Sequence, residues 1–116
     1  MGLWLAKPKL ESDEVIRWQS SAGRSVGRWV TSGGRLAVTN RRVLFQPNWF
    51  DVATGKAPWE CPLGSVVGFE AVDRDLTVPA GGTRRRLGIQ TAASFEVFVV
   101  NGLEGKLVEL RKLLSE

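Results

Sequence analysis

The chain has 116 residues, 43% hydrophobic and 24% charged, which suits one globular domain with its own core and excludes wholesale disorder. Its net charge is +4 and its isoelectric point near 9.8; an arginine-borne excess of this size keeps a small protein soluble and also suits an anionic partner. The absence of histidine and the single cysteine, Cys61, exclude an internal disulfide, Ser-His and Cys-His catalysis and histidine-based metal sites.

Residues 1–13, rich in Lys, Pro, Ser and acidic residues, read as an N-terminal arm, with Trp4 and Leu5 able to dock on the body. Their apolar run is too short for a signal peptide or a membrane span. Ala6 stands where myristoylation favours Ser or Thr. The expected location is cytoplasmic. A single domain is expected over residues 14–116.

From Glu14 the pattern becomes short strands. In "EVIRWQSSA" Val15 and Arg17 alternate with Ile16 and Trp18, and "GRWVTSGG" ends in a glycine pair that suits a turn. "GGRLAVTNRRVLFQP" then reads as a hairpin. With its turn at Asn40-Arg41, Val38 faces Val43 and Leu36 faces Phe45, so these four form one apolar face; a slip of one residue would mix the faces. Arg41 then projects into water at the tip and Arg42 flanks it.

Gln46 to Trp59 is expected as a loop, interrupted by Pro47, Asn48, Gly55 and Pro58 and loaded with Trp49, Phe50 and Trp59. Two strands follow, "WECPL" and "VVGFEAVDRD", the second with Val67, Phe69 and Ala71 on one face; Cys61 reads as a buried structural thiol. Asp73 to Thr83 is a second long connection. "RRRLGIQTA" and "SFEVFVV" pair through Ala92-Ala93, with Leu87 and Ile89 inward and Arg84 and Arg86 outward. Phe45, Phe95 and Trp18 read as core.

The period then changes. Leu103, Leu107, Leu110 and Leu114 fall at helical spacing, with Asn101 as expected N-cap, Glu104 in capping-box position, and Arg111 and Lys112 favourable to the dipole in the last turns. Gly105 costs a helix interior about 1 kcal/mol against alanine, which close packing on a sheet would explain. Strands without alternating helices exclude a parallel α/β fold. The expected architecture is mostly β: a bent antiparallel sheet or partly open barrel of about seven strands, plugged by one C-terminal helix.

"GGRLAVTNRRVLFQP" resembles the hallmark hairpin of GRAM domains, through Gly34, Leu36, Thr39, Asn40, Arg41, Arg42, Val43 and Phe45. "DEVIRW", "LGIQTAASFEVFVV" and the closing helix fall where that family has strands and helix. GRAM domains are similar to pleckstrin-homology (PH) folds, so the resemblance implies two near-orthogonal antiparallel sheets capped by the helix. It also implies a non-enzymatic binding module for protein or anionic membrane lipid. Members of that family are commonly parts of longer proteins.

Catalysis finds no support in the residue inventory. Glu60, Glu70 and Glu96 sit on separate strands, and "TGKA" fails as a phosphate loop because Phe50 and Ala57 replace the required Gly and Ser/Thr. No cofactor or metal is expected. The candidate anion- or lipid-binding residues are Arg24, Arg28, Arg41, Arg42, Arg84, Arg85 and Arg86; the candidate partner contacts are Trp49, Phe50 and Trp59. Near an anionic membrane each arginine contributes about 1 kcal/mol, so five on one side reach only sub-millimolar affinity. A headgroup pocket, an inserted aromatic or avidity would have to add to that. Specific nucleic-acid binding is not expected, since the aromatics are needed in the core. The expected partner is a protein or an anionic lipid at the inner membrane surface; the alternative is a self-associating adaptor without lipid affinity.

Overall fold

Among the described residues, β-branched and aromatic residues at alternating positions produce seven strands, and a terminal leucine repeat produces a helix. The computed structural model describes residues 10–26, 30–48, 58–77 and 84–115. The strands are β1 (Ile16–Val26), β2 (Val30–Thr39), β3 (Arg42–Pro47), β4 (Trp59–Pro62), β5 (Val66–Val72), β6 (Arg86–Thr91) and β7 (Phe95–Val99), followed by helix α1 (Leu103–Leu114). A short 3-10 turn, Leu63–Ser65, joins β4 to β5.

All pairings are antiparallel, in the order β4-β3-β2-β1-β7-β6-β5. The expected pair of sheets is therefore one continuous sheet. The reason is β1, whose 11 residues pair with β2 along their length and with β7 near their end. Among the described residues the sheet is not closed, because β4 and β5 remain its edges.

The hairpin register is the expected one: Val38 pairs with Val43 and Leu36 with Phe45. These four residues are buried in one cluster with Phe69, Leu87, Ile89, Phe98, Leu107 and Leu110. The leucine face of α1 packs against β5 and β6 and shares this core with the stripe of β2 and β3. Two polar contacts dock the helix: the Trp18 indole N–H donates to Glu109 Oε1 at 3.0 Å, and Arg111 Nε donates to the Phe69 carbonyl at 3.0 Å. Cys61 is buried as a free thiol, and burial raises its pKa.

Five local expectations are corrected. Gly33 and Gly34 lie inside β2 and make no turn; a Cβ on Gly34 would stand 2.2 Å from the Gln46 carbonyl oxygen, so the strand crossing itself demands glycine. Val67 is 71% exposed, because an irregularity between Val66 and Gly68 reverses the parity of β5. Phe95 is 43% exposed, and Phe98 fills the core instead. Asn101 does not cap α1; the N-cap is Gly102 at φ +66°, a conformation glycine adopts without strain. A Cβ at Gly105 would meet nothing within 4 Å, so tight packing is not its reason.

Candidate functional site

The turn between β2 and β3 is built by its own side chains. Thr39 Oγ1 accepts the backbone N–H groups of Arg41 and Arg42, both at 3.0 Å, and donates to Glu14 Oε2 at 2.6 Å. Asn40 Oδ1 accepts the Val15 N–H at 2.9 Å, and Asn40 Nδ2 donates to the Asp13 carbonyl at 3.1 Å. Arg42 closes the arrangement with Nε to Glu14 Oε2 at 2.8 Å and Nη2 to Glu14 Oε1 at 2.9 Å, while its Nη1 reaches Glu60. The Glu14 side chain is fully enclosed. The Arg42 guanidinium lowers the Glu14 pKa from 4.5 to about 2 against the opposing effect of burial, and the two carboxylates raise that of Arg42. Thr-Asn-Arg-Arg is thus a latch that ties residues 11–15 to the hairpin tip. Arg41 is exposed and faces Asp13 at 3.3 Å and Glu11 at 3.9 Å.

The remaining candidates are spread over the molecule. Arg24 binds Glu96 Oε1 at 2.8 Å and lies 5.8 Å from the centroid of the Trp59 ring. Trp59, half-buried, packs on Phe98 with centroids 5.7 Å apart, so it belongs to the core wall. Arg85 meets Glu104 at 2.8 Å and Asp73 at 4.0 Å. Arg86 sits on the face of β6 opposite Leu87 and Ile89, as alternation requires. It is nevertheless buried there at 6% exposure, donating from Nη2 to the Asp73 carbonyl at 3.2 Å. Its Nε is enclosed without a hydrogen-bond partner among the described residues. Arg28, Trp49 and Phe50 lie outside the described residues.

Arg84 differs from its neighbours. It is exposed, and its Nη2 donates to two neutral acceptors, the Val100 carbonyl at 3.2 Å and Asn101 Oδ1 at 2.8 Å. Among the described residues it has no carboxylate partner. It borders an open trough of about 330 Å³ with Ser21, Asn48, Val99 and Asn101. The floor is Gly23 and Gly33, which face each other across β1 and β2, with Val99 opposite Gly23 on β7. Without side chains there, a ligand can approach the sheet backbone. Asn48 is held at the rim by its backbone N–H to the Gly33 carbonyl at 2.9 Å, and its Oδ1 is buried without a partner among the described residues. A second hollow of about 240 Å³ lies beside Arg42, Leu44, Gln46, Pro58, Trp59 and Glu60. Its arginine is already paired, and Glu60 disfavours an anion.

Of the candidate arginines among the described residues, Arg84 alone borders this trough, and Arg42 borders the second hollow. The arginine run was readable as basic, but Ser21, Gly23, Gly33, Asn48 and Asn101 carried no local signal. They converge only through the pairing of β1 with both β2 and β7. Among the described residues no helix is long and apolar enough to cross a membrane.

No family model matches the chain, and no curated protein matches it. Among solved structures it is similar to the C-terminal domain of an unknown protein from Leishmania infantum, with a TM-score of 0.62 and 12% identity. The match covers 89% of this chain and 86% of that one. At that identity the likeness is one of fold.

Proposed function

We propose that the chain is a non-catalytic binding module of PH-like, GRAM type that recognises an anionic group, on a partner protein or at a membrane surface, in the Arg84 trough. The observation that carries this reading is Arg84 itself: an exposed guanidinium with only neutral partners among the described residues, beside a floor of glycines and a rim of amides. A guanidinium so placed can turn two N–H groups to one carboxylate or phosphate. The GRAM assignment is supported by the residue string Gly34 to Phe45 and by the strand order with a closing helix. The non-catalytic character rests on the lack of histidine.

Heteronuclear NMR titration with sodium acetate and sodium phosphate tests the reading. Saturable shifts are expected at Arg84 Nε–H and at Asn101, and their loss in Arg84→Gln. If neither anion moves these signals saturably, the trough is not an anion site.

A second reading, self-association without lipid affinity, draws on edge strand β5 and its exposed Val67. Light scattering that finds a monomer at every concentration removes it.

A further inference from the structure

Granting that the trough is the anion site, we propose that its occupant is an extended acidic segment of a partner protein. One side-chain carboxylate meets Arg84, and the segment's backbone lies over Gly23 and Gly33. The charge balance comes first. Arg85 is paired with Glu104 at 2.8 Å and lies 4.0 Å from Asp73, and Arg86 is buried against the Asp73 carbonyl. Among the described residues that line it, the trough thus holds a single positive charge, that of Arg84. A carboxylate matches it one for one, whereas each phosphomonoester brings about −1.5 to −2, and a headgroup with several would leave most of its charge unpaired.

The hydrogen-bond inventory points the same way. Among the described residues Asn48 Oδ1 is a buried acceptor without a donor, and Ser21 and Asn101 add further polar groups to the walls. A phosphate or carboxylate alone has no N–H to offer Asn48. A peptide has an N–H and a C=O at every residue, so it satisfies that amide whichever way round its oxygen and nitrogen lie. The shape agrees: opposed glycines on neighbouring strands leave room for a main chain to lie against the sheet, and the trough is open to solvent.

The probes are the capped peptide acetyl-Gly-Glu-Gly-Gly-amide, its Gln counterpart, sodium phosphate, and phosphatidylcholine vesicles with or without phosphatidylserine. Each is titrated into wild type and Arg84→Gln, with the amide signals of Gly23, Gly33 and Asn101 as readout. The exposure of Arg84 makes a folded variant the expectation, and an unchanged spectrum elsewhere checks it. An ion pair at an exposed guanidinium contributes about 0.2–1 kcal/mol, so the Glu peptide should bind up to about fivefold more tightly than the Gln peptide. Arg84→Gln should lose the same factor. Equal binding of the two peptides, or shifts outside the trough, overturns the inference. Phosphate or vesicles acting at the trough while the peptide does not also overturns it, and leaves the anion site standing. No saturable shift with any probe overturns both.

Discussion

Glu14 and Arg42 meet at two points, Nε to Oε2 at 2.8 Å and Nη2 to Oε1 at 2.9 Å, with the carboxylate wholly enclosed. They are 28 residues apart in the chain, and their union binds the start of the domain to the β2–β3 turn. Of the two arginines in the hairpin motif, the one flanking the tip is therefore committed, while Arg41 at the tip stays exposed.

Glu14→Gln should be destabilising. Removing one partner of a buried ion pair costs about 3–5 kcal/mol, and the remaining contact of Arg42 with Glu60 places this case at the lower end. Urea unfolding should show a lower midpoint with an unchanged slope.

The same pair makes a pH prediction. The Glu14 pKa is lowered from 4.5 to about 2 in the folded chain, so its contribution to stability is present above pH 4.5 and is lost as pH falls toward 2. The linked free energy is about 3 kcal/mol. The stability difference between wild type and Glu14→Gln should shrink progressively over that interval, and a difference independent of pH would contradict the buried pairing.

Two glycines should respond in opposite directions. Gly105→Ala places its Cβ in open space on α1 and should stabilise by up to about 1 kcal/mol. Gly34→Ala drives its Cβ to within 2.2 Å of a backbone oxygen and should destabilise by about 2 kcal/mol or more. Thermal unfolding of both variants checks the contrast.

The helix face can be tested the same way. Leu110 is fully enclosed and Val108 is exposed. Leu110→Ala should cost about 2–5 kcal/mol, and Val108→Ala no more than about 0.5 kcal/mol.

These contrasts also mark what was legible in the sequence. The pairing of Leu36 with Phe45 followed from alternation, because one slipped residue would have placed apolar side chains in water. The leucines of α1 followed from helical period. Gly33-Gly34 was misread because a glycine pair carries the same local signal in a turn and at a close strand crossing. Val67 was misplaced because a bulge reverses parity without changing composition. Arg86 was assigned to the correct face, yet nothing local indicated that this face is covered. Glu14 preceded a strand like any surface acid; only the contact with Thr39 and Arg42 defines its role. For the site, the arginine run was visible, but the sorting of Arg84 from its neighbours depends on three dimensions, where Arg85 finds carboxylates and Arg86 is buried.

The most direct test of the central claim is the acetate titration run in parallel on Arg84→Gln and Arg41→Gln, two exposed arginines that differ in their partners. The account predicts that the saturable response at Asn101 disappears in the first and persists in the second. A response that survives in Arg84→Gln and vanishes in Arg41→Gln would place the anion at the hairpin tip and contradict it.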